Sequence, residues 1–221
     1  MSTIGFIGSG HIGSTLARLA VAAGYQVVVS NSRGPETLAD LVTELGPNAR
    51  TATAAEAAQV GDLVVVSVPL RAYLDVPVEP LAGKTVIDTC NYYPERDGHI
   101  AELDTAATTS SELVQKHLPA AHVVKLFNNI FFQTLSTLPR PAGAPDRTAL
   151  PLAGDNANAK AEATTFLNAI GYDALDAGPL AEGWHWQPGT PAYGVYAGET
   201  IQVAVPADAE KVRSALAAAT R

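Results

Sequence analysis

Short apolar runs alternate with amphipathic segments along most of the chain. Residues 4–7 form an apolar run, and residues 12–23 place apolar side chains on one helical face until Gly24. The same reading predicts strands at 4–7, 25–29, 49–52, 62–68, 84–88, 122–127, 149–153, 172–177 and 200–205. It predicts helices at 12–23, 35–45, 54–58, 110–118, 156–170 and 206–219.

Strands that alternate with helices over short connections predict an α/β protein. The expected fold is a Rossmann-type, doubly wound, mostly parallel sheet with helices on both faces. At 221 residues the chain is too short for two full domains, so residues 1–221 are expected to form a single Rossmann-type domain. Residues 178–221 are expected to add an aromatic loop, a strand and a helix as a small C-terminal extension.

The segment GSGHIG at residues 8–13 lies between the first strand and the first helix. It fits the G-x-G-x-x-G pattern, in which the glycines permit a tight turn, close approach of a pyrophosphate and close packing of helix on strand. The helix N-terminus offers N–H groups and partial positive charge to the phosphate. His11 could cover the cofactor or lie exposed in the loop, and the sequence favours neither alternative. The predicted cofactor-binding residues here are Gly8, Ser9, Gly10, His11, Ile12 and Gly13.

The end of the second strand reads SNSR at residues 30–33, where NAD-binding folds carry a carboxylate for the ribose hydroxyls. Asn31, Ser32 and Arg33 can all donate to a 2′-phosphate, and arginine can do so through a charge-assisted fork. The predicted cofactor is therefore NADP(H). The alternative is a polar loop in which Arg33 is solvated.

Composition narrows the partners to small molecules. The net charge of −8 gives no electrostatic footprint for nucleic acid or an anionic membrane, and no apolar run is long enough for a membrane span. The single cysteine, Cys90, is expected to be a core residue in a reducing compartment, and the histidines show no metal-ligand spacing. The N-terminus lacks a basic leader, so a cytoplasmic location is expected.

Further motifs carry a family resemblance. They are GFIGSGHIG at 5–13, SNSR at 30–33, SVP at 67–69, VIDTCNYYP at 86–94, VVKLFNNI at 123–130, LAGD at 152–155 and DAGPL at 176–180. In these segments the chain resembles the deazaflavin-dependent NADP reductases, whose members pass hydride between NADP(H) and coenzyme F-420. It is also similar to the oxidoreductase domain of the transmembrane metalloreductases.

The resemblance implies roles for particular residues. It implies cofactor contacts from Val68 and Pro69, and a wall between nicotinamide and second cofactor at Asn91 and Phe127–Asn128. It also implies that a deazaflavin pocket is bordered by Gly178, Pro179 and Leu180.

Other candidates follow from position in the predicted sheet. Tyr93 and Asn129 lie just past strand ends, at the edge where open α/β folds bind ligands. Trp184 belongs to an aromatic-rich loop that could be a substrate lid, packing over the sheet edge or a homodimer contact. The predicted substrate-binding residues are Tyr93, Phe127, Asn129, Gly178, Pro179, Leu180 and Trp184.

The predicted activity is hydride transfer between NADP(H) and a deazaflavin (coenzyme F-420) or a flavin-type acceptor such as FMN. The cofactors carry such chemistry, so no catalytic side chain is predicted. Two alternatives stay open: NADPH-dependent reduction of a small imine or carbonyl compound, and a non-catalytic NADP-sensing module.

Overall fold

Eight strands form one sheet in the computed structural model, which describes residues 2–221. The strands are β1 Thr3–Ile7, β2 Gln26–Ser30, β3 Ala49–Thr51, β4 Leu63–Val66, β5 Thr85–Asp88, β6 His122–Lys125, β7 Ala149–Gly154 and β8 Asp173–Asp176. Their order is β3-β2-β1-β4-β5-β6-β7-β8. All neighbours are parallel except β6 and β7. The prediction of a mostly parallel, Rossmann-type sheet is confirmed.

Helices connect most of these strands. They are α1 His11–Ala22, α2 Ala39–Leu45, α3 Ala54–Val60, α4 Pro94–Asp97, α5 Ala101–Asp104, α6 Ser110–His117, α7 Phe132–Thr137, α8 Ala157–Ala169 and α9 Ala209–Ala217. Local sequence sets several of their ends: capping boxes of Thr53 with Glu56 and Thr109 with Glu112 open α3 and α6. Within residues 2–221, no helix has the length and apolar character that a membrane span requires.

The central strands are buried on both faces, as their continuous apolar runs predict. In β4 and β5, Val65 and Ile87 pack into the larger apolar cluster, which also contains residues of α1 and α8. Val64, Val66 and Val86 point to the opposite face and pack into a second cluster with Val114 of α6. This period of two is the expected geometry of a strand between two helical layers.

The direction of β7 decides which loops meet at which edge of the sheet. Because β1–β6 run parallel, the segments that follow them gather at one edge. Strand β7 runs against β6, and β8 runs with β7, so the segment after β8 starts from the other edge. From there the 3-10 helix Leu180–Trp186 leads back toward the first edge, where the carbonyl of Trp186 accepts a hydrogen bond from Asn128.

The C-terminal segment, residues 178–221, packs on the last two strands. Helix α9 contacts β7 and β8, and Val212 within it is buried in the larger apolar cluster. Ala149 at the start of β7 donates its N–H to the Ala207 carbonyl, and its own carbonyl accepts the Tyr196 hydroxyl, at 2.8 Å each. These contacts join the segment to the main core.

The strand predicted at residues 200–205 is wrong. Hydrogen bonds close this segment on itself, from Gly198 N–H to the Val203 carbonyl and from Val203 N–H to the Thr200 carbonyl. An isolated antiparallel bridge, Ala197 to Ala204, takes the place of a ladder. Without a neighbouring strand to pair with, the β-branched pattern leaves Ile201 and Val203 about half exposed.

Two further segments differ in helix type from the prediction. The helix predicted at 35–45 starts with a 3-10 turn, Pro35–Leu38, before α2 continues it. The predicted aromatic loop contains two 3-10 helices, Leu180–Trp186 and Pro191–Gly194.

Candidate nucleotide and acceptor site

The three loop glycines occupy positions with different steric demands. Gly8 has φ of +99°, and a Cβ there would lie 2.2 Å from the Ser67 carbonyl oxygen. A Cβ at Gly13 would lie 2.2 Å from the Gly8 carbonyl oxygen, so both positions require glycine for packing. A Cβ at Gly10 would meet no heavy atom within 4 Å. Gly10 therefore borders an open cradle.

Helix α1 begins directly behind this cradle. Gly10 is its N-cap and has extended backbone angles, with φ of −75° and ψ of −163°. No side chain caps this end, and the first turn contains no acidic residue. The N-terminal N–H groups of a 12-residue helix thus face a space bordered by glycine, which is the arrangement that binds phosphate.

The end of β2 separates into structural and exposed residues. Ser30 is buried and donates its hydroxyl to the Phe6 carbonyl at 2.7 Å, so it belongs to the sheet. Asn31 organises the following turn: its Oδ1 accepts the Arg33 N–H at 2.9 Å, and its amide donates to the Thr37 hydroxyl at 2.8 Å. Ser32 and Arg33 are exposed and available to a ligand.

A cavity of about 360 Å³ joins the glycine loop to this turn. Gly8, Ser9 and Gly10 line one side, and Asn31, Ser32 and Arg33 line another. The 3-10 helix Leu70–Asp75 closes it and adds the carboxylate of Asp75, a cavity residue that sequence reasoning missed. No motif marks Asp75, since it lies in a short helix inserted after β4.

A larger cavity of about 590 Å³ continues from the same loop. Gly10, Ser67, Val68 and Pro69 line both cavities, so the two lie side by side at the carboxyl edge of β1–β6, and together they are called the crevice. Of the predicted site residues, it collects Gly10, His11, Ile12, Val68, Pro69, Asn91, Tyr93, Phe127, Asn128 and Asn129. Its volume falls in the range of small-molecule sites, about 300–1,000 Å³.

A pair of asparagines forms part of the wall of this cavity. The Asn128 amide donates to Asn91 Oδ1 at 3.1 Å, and the Asn91 amide donates to the Asn128 carbonyl at 2.7 Å. The Asn128 amide also donates to the Trp186 carbonyl at 3.0 Å, and Asn129 donates to the Ala192 carbonyl at 2.9 Å. These bonds tie the ends of β5 and β6 to the C-terminal segment.

A buried ion pair supports the wall from beneath. The Lys125 ammonium lies 3.4 Å from Asp88 Oδ2 and 3.2 Å from the Ser110 hydroxyl, and it donates to the Cys90 carbonyl. Asp88 also accepts the Ser111 hydroxyl at 2.5 Å and the Cys90 N–H at 2.8 Å. Burial, followed by the Asp88 charge, raises the pKa of the Cys90 thiol well above its usual value. Cys90 is thus a neutral core residue.

Aromatic side chains form much of the remaining wall. His11 stacks on Phe132 with ring centroids 4.4 Å apart and 15° between the ring planes. Phe131 packs against Phe132 at 4.7 Å. Phe127 has φ of +66°, a backbone conformation uncommon for a non-glycine residue, and its ring packs edge-on against Phe166 in the core. The cavity therefore offers aromatic rings to a planar ligand.

Sequence reasoning missed several residues of the larger cavity as site residues. Arg96 and Tyr193 line it with Tyr93, and Phe132 provides the stacking partner of His11. Tyr193 lies 100 positions from Tyr93 in the sequence, and Arg96 lies inside a polar segment that has no motif. The sequence contains one signal for this part of the site: Tyr193 lies in a segment rich in tryptophan and proline.

Four predicted substrate residues lie away from this cavity. Gly178, Pro179 and Leu180 follow β8, which ends at the opposite edge of the sheet. Leu180 is buried in the second apolar cluster. Trp184 stacks on His185 at 3.8 Å and lies under the Arg221 guanidinium at 4.9 Å. The structure does not bring these residues together with the glycine loop.

The N-terminal part of the chain matches a known protein family. Residues 3–92 match the family described as "NADP oxidoreductase coenzyme F420-dependent". This match covers the glycine loop, the end of β2 and the strands up to β5. The chain is related to NADP-dependent oxidoreductases. The family resemblance predicted from the motifs is thereby confirmed.

Individual proteins extend the relation to most of the chain. Metalloreductase STEAP3 of Rattus norvegicus is 32% identical over 181 residues, which cover 80% of this chain and 34% of that protein. The chain thus spans about a third of the length of this curated relative.

Two solved structures share the fold over most of their length. Hypothetical protein SMa0349 from Sinorhizobium meliloti has a TM-score of 0.77 and 28% identity, covering 94% of this chain and 97% of that one. A candidate F-420-dependent NADP reductase from Arthrobacter sp. has a TM-score of 0.68 and 26% identity, covering 81% of this chain and 85% of that one.

Proposed function

We propose that this oxidoreductase binds NADP(H) along the crevice and exchanges hydride with a planar ring acceptor of deazaflavin (coenzyme F-420) or flavin (FMN) type. The observation that carries the proposal is that the two cavities lie side by side and share part of their lining. One end holds Arg33 at the turn after β2, and the other end is an aromatic cavity wide enough for a second ligand. Gly10, Val68 and Pro69 lie in the stretch shared by both.

The glycine loop and Arg33 fit the two charged parts of NADP(H). The cradle at Gly10 and the N-terminus of α1 would hold the pyrophosphate. Arg33 would hold the 2′-phosphate, helped by Ser32, because Asn31 fixes the turn that presents both. When bound, NADPH supplies hydride from C4 of its nicotinamide ring.

The larger cavity would place the nicotinamide against a ring acceptor. Val68 and Pro69 are positioned to pack on the nicotinamide, and the Asn91–Asn128 pair borders the space where the rings meet. The aromatic wall would position the acceptor and exclude water from the transfer. The chain's own contribution is thus binding, orientation and exclusion of solvent.

The direct test is spectroscopic. Loss of NADPH absorbance is followed with oxidised coenzyme F-420, and separately with FMN. Oxidation that depends on the ring acceptor is expected with at least one of them, whereas its absence with both would refute hydride transfer. NADPH binding with the nicotinamide against a closed wall would instead favour an NADP-sensing role.

An Arg33→Ala variant tests the choice of nucleotide. We expect its Kd for NADPH to rise about 10-fold or more, because a charge-assisted hydrogen bond of ~1.5–3 kcal/mol is lost, while its Kd for NADH stays unchanged. Both constants can be measured by isothermal titration calorimetry. Arg50→Ala is the matched control, since Arg50 is exposed and lies outside the crevice. Equal NADPH affinity in Arg33→Ala and the wild type would disprove this assignment.

A further inference from the structure

Two tyrosines meet inside the larger cavity. The hydroxyls of Tyr93 and Tyr193 are hydrogen-bonded to each other, and both residues belong to the cavity lining. Tyr93 lies between β5 and α4, and Tyr193 lies in the 3-10 helix Pro191–Gly194. The C-terminal segment thus brings a phenol to the carboxyl edge of the sheet, next to the proposed nicotinamide position.

The pair has one proton to spare. Each phenol carries one O–H donor, and the mutual hydrogen bond consumes one of the two protons. The second proton can therefore be donated to a ligand. Burial, followed by the hydrogen bond with Tyr93, raises the pKa of Tyr193, so this phenol keeps its proton at neutral pH.

The lining around the pair places a cation, and no carboxylate, beside the phenols. No described residue in the lining of the larger cavity carries a carboxylate. The Arg96 guanidinium lies over the Tyr93 ring, 4.8 Å from its centroid, and Arg96 also lines the cavity. Asp97 and the Asn91 carbonyl hold this guanidinium in place at 2.7–2.9 Å. An oxyanion near the phenols would thus meet a donor and a cation.

We propose that Tyr93 and Tyr193 form an oxyanion site that binds a carbonyl oxygen of a planar, conjugated acceptor and gives it a proton when hydride arrives. This inference rests on the proposed function and adds a substrate class to it. Hydride adds to the ring with its electron pair, the displaced π pair moves onto the carbonyl oxygen, and a phenol proton bonds to that oxygen. The phenolate takes its partner's proton, and water reprotonates the partner. One hydride and one proton are therefore consumed per acceptor.

The test uses p-nitrophenolate as the probe, because it is a planar ring that carries an oxyanion. Its oxygen does not accept hydride, so binding is measured without reaction at that atom. Its binding to the protein saturated with NADP⁺ is followed by absorbance. We expect the Tyr93→Phe/Tyr193→Phe double variant to bind it about 10-fold more weakly than the wild type, and the larger single-variant loss to mark the phenol that faces the ligand. Tyr25→Phe is the control, because Tyr25 packs on Phe166 and does not line the crevice.

The outcomes separate this site from the proposed function. NADP⁺ affinity within twofold of the wild type establishes that the double variant is folded. In acceptor-dependent NADPH oxidation, the double variant lacks the phenol that donates to the oxyanion. Its kcat is expected to be ~10²-fold lower than that of the wild type. Equal p-nitrophenolate binding by wild type and double variant, or no binding by the wild type, would overturn the oxyanion site. Failure of the wild type to oxidise NADPH, with tyrosine-dependent p-nitrophenolate binding intact, would overturn the proposed function and the proton transfer that depends on it, and would leave the oxyanion-binding site standing.

Discussion

A Gly10→Ala variant is expected to bind NADPH about 10- to 100-fold more weakly than the wild type while unfolding at the same temperature. The backbone angles of Gly10 suit alanine, and its Cβ would meet no heavy atom within 4 Å, so the fold accepts the methyl group. The same methyl group would occupy the cradle proposed for the pyrophosphate. Overpacking of this kind costs ~1–3 kcal/mol, and the stated change in Kd, which equals ~1.4–2.7 kcal/mol, lies within that range.

Gly13→Ala supplies the contrast. Its Cβ would lie 2.2 Å from the Gly8 carbonyl oxygen, so the loop or helix α1 must move and the melting temperature should fall. Thermal melting and NADPH titration of both variants separate the two effects. A Gly10→Ala protein that bound NADPH as tightly as the wild type would remove the pyrophosphate from this loop.

A Lys125→Met variant is expected to lose about 3–5 kcal/mol of unfolding free energy. Lys125 and Asp88 are both buried, and removal of the ammonium leaves an unpaired carboxylate inside the protein. The Cys90 carbonyl would also lose its donor, next to the segment that carries Asn91 and Tyr93. Urea unfolding measures the loss.

Two companion variants make the second result specific. Lys116→Met removes one partner of an exposed ion pair with Glu102, and little change is expected. Asp88→Asn added to Lys125→Met removes the stranded charge and should recover part of the stability. A Lys125→Met protein as stable as the wild type would show that the ion pair does not support the cavity wall.

Local sequence is enough to predict which residues meet at the end of the crevice proposed for the nucleotide. The glycines of the loop act through backbone geometry alone, so their spacing is enough to predict a turn and an open cradle. The end of β2 was equally readable, because the residues after a buried parallel strand must reach the carboxyl edge. Arg33 lies in the crevice for this reason.

The part of the crevice proposed for the acceptor depends on contacts between distant parts of the chain. A strand's apolar pattern does not encode its direction, so the reversal of β7 was hidden in the sequence. That reversal places Gly178–Leu180 at the far edge of the sheet and lets the following segment return with Tyr193. The meeting of Tyr193 with Tyr93 follows from tertiary packing, which no local motif reports.

Transfer of label from the nicotinamide to the acceptor tests hydride exchange most directly. The protein is incubated with NADPH that carries deuterium at the transferable C4 position and with oxidised coenzyme F-420, and the reduced deazaflavin is analysed by mass spectrometry. Direct transfer predicts a product one mass unit heavier than that from unlabelled NADPH, formed more slowly by Gly10→Ala at subsaturating NADPH. Two results would contradict direct hydride transfer. One is failure to form a reduced product with either coenzyme F-420 or FMN. The other is a reduced deazaflavin that contains no deuterium, whichever of the two C4 hydrogens of NADPH is replaced by deuterium.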